Sequence, residues 1–360
     1  MRDEVKAQLH FLHPSPFILP SSSFYLPSMR TPPTPMKNTR ALILLLLALV
    51  ASNARAQTQP PSQPAPNAQA QTVKPDAKKS EEKPRYETIQ FESRLVGAPL
   101  PYNVILPADY KRGSSKSKRY PVLYLLHGLG GSAADWVSTR ARLADYVAQY
   151  PFIIVVPEGK DGWYTDGPAP SGKFESYFVE ELIPDVDRRF RTVASREGRA
   201  IAGLSMGGYG SMKFALKYPE LFAFAASMSG ALAVASWTPD QRIPEFVRPS
   251  VLRVYGDAGS GVRRDNDIYR LARELTPERA KALPYLYLDC GTEDFLISNS
   301  RDFSALLIEK KIAHEFRELP GTHSWPYWDR QVREVLRLAA QKLAAPTDGS
   351  KQKAKGGGGR

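Results

Sequence analysis

Ser205 lies in Gly203-Leu204-Ser205-Met206-Gly207, a G-x-S-x-G run. Glycine on both sides lets a serine stand on a sharp turn between a strand and a helix, with its hydroxyl presented outward. A serine hydroxyl is a weak nucleophile until a base removes its proton, and histidine is the usual base. The chain has 5 histidines. His10 and His13 fall in the N-terminal region, His127 opens a glycine-rich stretch, and His314 stands at the start of an apolar run, the wrong end for this role. His323, in Gly321-Thr322-His323-Ser324-Trp325, follows the run Glu315–Leu319 and is therefore expected level with Ser205. An acid should hold the imidazole in the right tautomer, and in this chain order it falls between serine and histidine. Asp294 in Gly291-Thr292-Glu293-Asp294 fills that place, with Glu293 and Asp257 as alternatives and Asp289 locked inside a strand. The chemistry these residues could do is acyl transfer through a covalent serine intermediate. Its oxyanion needs preorganised donors. The backbone N–H of Met206 is one candidate. Leu129 N–H, in His127-Gly128-Leu129-Gly130-Gly131, is the other.

These residues need a scaffold that brings them to one edge. Short apolar runs recur along the chain, each closed by glycine or a polar turn: Val122–Leu126, Phe152–Val156, Ala200–Gly203, Phe222–Met228, Tyr285–Asp289 and Glu315–Leu319. Runs without alternation fit strands covered on both faces, as in a parallel sheet. Helical spacing lies between them at Phe174–Phe190, Met206–Tyr218, Arg301–Lys311 and Trp325–Leu343, and Pro184 is expected to kink or end the first of these. Tyr86–Leu95 and Leu100–Leu106, separated by Val96-Gly97-Ala98-Pro99, predict a leading antiparallel hairpin. The expected architecture is α/β, a mostly parallel central sheet with helices on both faces. Residues 231–284 fit this rhythm less well and are expected to be an insertion covering the site, with helix around Ile268–Leu275.

The combination of HGLGG (127–131), GLSMGGYGSMKFALKYPELF (203–222), CGTEDFL (290–296) and PGTHSWPYW (320–328) resembles an esterase family of α/β-hydrolases. That family groups tributyrin-type esterases, S-formylglutathione hydrolases, feruloyl and acetylxylan esterases, and mycolyltransferase-like proteins. The resemblance covers roughly residues 86–345, with the motifs in the family's order. It implies the α/β-hydrolase fold, a carboxylic ester hydrolase, Ser205, Asp294 and His323 as nucleophile, acid and base, and no metal or organic cofactor. An acyltransferase of the mycolyl type and an inactive α/β-hydrolase serving as a binding module are the alternatives, because fold alone does not fix function. Trp163, after the Phe152–Val156 run, and Trp325, beside His323, are candidate substrate contacts for sugar or phenolic rings, with core packing as their competing role.

The ends of the chain read differently from its middle. Ala41–Ala51 is an apolar run preceded by Lys37 and Arg40 and followed by Ala54-Arg55-Ala56. That is the pattern of a secretory signal peptide, 36–56, with cleavage expected after Ala56. Residues 1–35 are expected to be a non-native extension, with translation starting at Met36. Residues 57–85 are rich in Pro, Gln and Ala and are expected to be a disordered linker; 346–360 is expected to be a disordered basic tail. Of the formal net charge of +12, residues 86–345 carry only +3. The excess is in the flanks rather than on one folded face, which argues against a nucleic-acid partner. The single cysteine, Cys290, excludes an intramolecular disulfide and a Cys-based zinc site and is expected to be buried. A secreted or periplasmic protein acting on a small-molecule or glycan-linked ester, with no stable membrane span after signal cleavage, is the resulting expectation. Export disfavours a glutathione thioester, whose thiol belongs in a reducing compartment.

Overall fold

The computed structural model describes residues 86–348, apart from 139, 169–171 and 238–243. The segments expected to be an N-terminal extension, a signal peptide and a linker, 1–85, and the part of the expected tail beyond 348 lie outside the described residues.

Eight strands form one sheet: β1 (Glu87–Ile89), β2 (Tyr102–Ile105), β3 (Val122–Leu126), β4 (Ile153–Pro157), β5 (Arg199–Leu204), β6 (Phe224–Met228), β7 (Tyr285–Gly291) and β8 (His314–Leu319). Their spatial order is β1-β2-β4-β3-β5-β6-β7-β8. β1 and β2 join antiparallel, β2 meets β4 antiparallel, and every pairing from β4 to β8 is parallel. β3, β4, β5 and β6 are buried along their whole length, which is why their sequences run apolar without alternation.

Alternate residues of one strand feed two cores. Val122, Tyr124, Leu126, Ile153, Val155 and Ile201 face one side, and Leu123, Leu125, Ile154, Val156, Ala200 and Ala202 the other. α1 (Leu143–Val147) follows β3, and α2 is a continuous helical stretch of Phe174–Ser176, a π turn Tyr177–Leu182 and Ile183–Arg189. After β5 comes α3 (Met206–Lys217). Four short helices, α4 (Arg248–Tyr255), α5 (Gly261–Asn266), α6 (Ile268–Arg273) and α7 (Pro277–Ala282), fill the segment between β6 and β7. α8 (Ile297–Glu309) and α9 (Trp325–Lys342) complete the domain. α2, α3, α6 and α8 pack on the first core, α1 and α9 on the second.

The leading hairpin forms with a finer construction than its sequence predicts. Glu92–Ser93 pairs with Ala98–Pro99 around a turn in which Gly97 has φ 69°, so Leu95 belongs to the turn rather than a strand. Pro184 neither ends nor interrupts its helix. The π turn ahead of it widens the ladder where proline cannot donate a hydrogen bond. Tyr255-Gly256-Asp257, which resembles a strand end in sequence, instead closes α4, with Gly256 at φ 66°. Ordered structure also runs past residue 345: Thr347–Asp348 pairs antiparallel with Lys118–Arg119. Among the described residues no helix is long and apolar enough to cross a membrane. Cys290 is buried, and burial pushes its thiol up to about 12.

Asp289 is a charged residue type fully buried in β7, where its Oδ1 accepts a hydrogen bond from the Tyr327 hydroxyl at 2.9 Å. Burial outweighs the help of the Tyr327 hydroxyl and raises the carboxyl to about 7. The folded protein therefore binds this proton more tightly than the unfolded chain, whose Asp titrates near ~3.9, and stability drains away as pH climbs between those values. Asp289→Asn, which keeps an uncharged acceptor, should remove this slope. Its unfolding free energy relative to the parent should rise between pH 5 and pH 7, by up to about 1.4 kcal/mol per pH unit, and level off above that. Parallel pH curves for the two proteins would contradict it.

Candidate active site

The sheet order reverses direction at β3. The chain leaves β3 for β4 on one side and later returns as β5 on the other, so the loops after β3 and β5 diverge and leave a crevice at the carboxyl edge. Ser205 closes β5 and opens α3 at that crevice. Its backbone has φ 52° and ψ −113°, a left-handed conformation that strains any residue with a Cβ. Three hydrogen bonds hold it there: Ser205 N–H to Met228 O at 2.9 Å, and Ser205 O accepting from Tyr209 N–H at 3.0 Å and Ala231 N–H at 3.1 Å. The flanking glycines allow the close approach. A Cβ on Gly207 would stand 2.7 Å from the carbonyl oxygens of Leu126 and His127, and one on Gly203 would meet the Gly207 carbonyl at 2.5 Å.

His323 Nε2 lies 3.0 Å from Ser205 Oγ, and its Nδ1 lies 2.9 and 3.1 Å from the two oxygens of Asp294. Asp294 is shielded from solvent. Burial alone would raise its carboxyl. The hydrogen bond and charge of His323, with the Leu296 amide donating to Oδ1 at 2.8 Å, prevail and hold it below the usual carboxylate value. An ionised carboxylate only accepts, so Nδ1 carries the proton and Nε2 turns its lone pair toward the serine hydroxyl. The loops bearing the acid and the imidazole are tied to each other. Thr292 N–H donates to Leu319 O and Glu293 N–H to Gly321 O, and the Glu293 carboxylate accepts from Gly321 N–H at 2.7 Å.

That bond gives Glu293 a different position from the one an acid partner would need: it is exposed and faces Gly321 rather than His323. Asp257 is exposed in the turn after α4. His314 caps the opposite end of β8, held by Ser304 Oγ and Ile312 O. His127 is fully buried. Its Nε2 accepts from Gly159 N–H at 2.9 Å and its Nδ1–H donates to Gly128 O at 2.8 Å, so the ring pins the loop that follows. In that loop Gly130 N–H is taken by Asp161 and Gly131 N–H by Gly128 O, whereas the N–H groups of Leu129 and Met206 have no backbone acceptor among the described residues.

Ser205, His323 and Leu129 line one cavity of about 240 Å³. Trp163 and Trp325 line it too, but their circumstances differ. Trp163 is buried, donates to Ser250 Oγ at 3.0 Å, and packs among Tyr209, Trp237 and Tyr255. Trp325 is partly exposed and meets Trp136 and Trp328 edge-on. Sequence reasoning did not single out Phe246 and Phe295, which also border the cavity and are 72% and 57% exposed. Phe295 directly follows Asp294 and its ring centroid lies 4.7 Å from that of His323; that adjacency was the available signal. Phe246, in the covering insertion, had none. Among the described residues no group of three or more His, Cys, Asp or Glu side chains is placed to hold a metal.

The sheet order, the strained serine turn and the crevice at the carboxyl edge define an α/β-hydrolase fold. The profile of the Esterase family, described as "Putative esterase", matches residues 93–338, and the chain belongs to that family. It is a carboxylic ester hydrolase. An acetyl esterase of Caldicellulosiruptor saccharolyticus is 30% identical over 255 residues, spanning 69% of this chain and 95% of its own. A solved ferulic acid esterase superposes with a TM-score of 0.62 at 25% identity, covering 72% of this chain and 98% of its own. A fluorophosphonate-binding serine hydrolase of Staphylococcus aureus, solved with substrate bound, gives 0.63 at 26%, with 71% and 98% covered.

Gly207→Ala should push α3 away from Leu126 and His127, because the obstacles are backbone oxygens that cannot rotate aside. We expect a loss of about 2 kcal/mol or more in chemical denaturation, from overpacking, together with slower ester turnover. A variant as stable and as active as the parent would show that the turn can relax.

Proposed function

We propose that this protein is an exported serine esterase that works through an acyl-enzyme on short-chain or carbohydrate-linked acyl esters. The observation that carries the mechanism is the continuous hydrogen-bonded line from Asp294 through His323 to the strained Ser205. Ser205 Oγ attacks the ester carbonyl carbon as its proton passes to His323 Nε2. The oxygen of the tetrahedral intermediate takes its negative charge to the amides of Met206 and Leu129, which are free to receive it. Collapse breaks the carbon–oxygen bond of the leaving alcohol, which departs with the proton from the imidazolium. Water then attacks the acyl-enzyme by the same route and releases the acid and the serine. Asp294 steadies the imidazolium at both stages.

The substrate class is supported by the acetyl esterase and ferulic acid esterase among the similar proteins and by the aromatic walls of the cavity, Trp325, Trp328, Phe246 and Phe295. Export is supported by the basic, apolar and small-residue pattern of 36–56. Mass spectrometry of protein purified from a secreting host should find Gln57 at the new N-terminus. A product that keeps the Ala41–Ala51 run would refute cleavage.

Ser205→Ala should abolish p-nitrophenyl acetate hydrolysis and fluorophosphonate labelling while leaving the melting temperature within a few degrees. Asp294→Asn should lower kcat by on the order of 10³-fold or more, because the amide no longer selects the Nδ1–H tautomer. Normal turnover in either folded variant would refute the assignment. A panel of acetyl, butyryl and feruloyl esters, on simple and sugar alcohols, separates the acyl preferences.

A further inference from the structure

Two helical turns beyond Ser205, α3 carries a lysine with no access to solvent. Lys213 Nζ donates to Tyr164 O at 2.5 Å, Thr165 Oγ1 at 2.8 Å and Glu175 Oε2 at 2.8 Å, with Asn266 Oδ1 at 3.3 Å. It thereby joins the helix of the serine to α2, to α5 and to the segment Trp163–Thr165. Glu175 does not depend on it alone, since Lys217 Nζ and the Tyr218 hydroxyl also meet that carboxylate. Burial draws Lys213 down to about 8 against the opposing pull of Glu175, so the ammonium form still prevails at neutral pH.

A buried ion pair is a weak device for stability, because apolar side chains of the same volume often serve as well. What Lys213 does have is a strained client. Trp163 and Tyr164 are consecutive residues with φ of 52° and 50°. Such a backbone persists only where its surroundings over-determine it. Trp163 lines the cavity that holds Ser205. The Tyr164 hydroxyl donates to His127 O at 3.1 Å, at the root of the loop that carries the Leu129 amide.

We propose that Lys213 is a positioning residue for ester hydrolysis: its ammonium fixes Trp163–Thr165 against the serine's helix and, through the Tyr164 hydroxyl, fixes the loop presenting Leu129 N–H. This rests on the role proposed above for that amide. Misplacement of an oxyanion donor acts on the transition state more than on substrate binding.

The test compares Lys213→Met, Tyr164→Phe and the double variant in the full chain, using p-nitrophenyl acetate kinetics with circular dichroism to confirm folding. Lys213→Met should lower kcat by about 10- to 100-fold with KM within about threefold, the scale of an ångström-level misplacement. Tyr164→Phe should lower kcat by a smaller factor, and the double variant should fall no lower than Lys213→Met, since both act through one line. Unchanged kcat in folded Lys213→Met, or losses that multiply in the double variant, would overturn the inference. If Lys213→Met does not fold, Tyr164→Phe decides alone: a reduced kcat at constant KM supports the line and an unchanged kcat refutes it. Activity remaining in Ser205→Ala would sink the proposed function itself, whereas an inactive Ser205→Ala beside a fully active Lys213→Met would sink only this inference.

Discussion

The turn at Ser205 is the constraint from which the rest follows. An L-residue held at positive φ would relax if it could, and here it cannot. Its amide is committed to β6 through Met228, its carbonyl to Tyr209 and Ala231, and the glycines around it let α3 lie against the end of β3. The side chain is left on the outside of the bend with few other places to point. Strain in the backbone thus does for the hydroxyl what packing does for a core residue: it removes alternatives before a substrate arrives.

The remaining polar groups are arranged to a similar end. Acid and imidazole stand on separate loops, after β7 and before α9, yet those loops exchange hydrogen bonds with each other as well as with their side chains. The opposite wall is fixed by a buried His127 that satisfies Gly159 and Gly128 and leaves the Leu129 amide free. These bonds tie side chains to main-chain groups, so the loops around the crevice hold one another in place.

Much of this was legible in the chain. The G-x-S-x-G motif and the apolar runs state their own roles, because a strand buried on both faces has few other ways to be written. The chain order of Ser205, Asp294 and His323 did the same for the line of hydrogen bonds. Less was readable where a residue's meaning depends on a distant partner. Glu293 and Asp294 are adjacent and both acidic, and only the fold shows one facing Gly321 and the other His323. Asp257 follows an apolar stretch that became a helix, since short apolar runs carry no unambiguous period. Nothing in the sequence sets Lys213 apart from any other helical lysine; its four acceptors come from three other parts of the sequence.

The direction of β1 and the pairing of Thr347–Asp348 with the residues just ahead of β3 have a shared geometric result. β1 climbs from the amino edge of the sheet, and Lys118–Arg119 sits at that same edge. Entrance and exit of the folded chain are therefore both on the side away from the crevice. A segment joined at either end of the folded domain would start from the face opposite the crevice, so its first residues would not crowd the catalytic mouth.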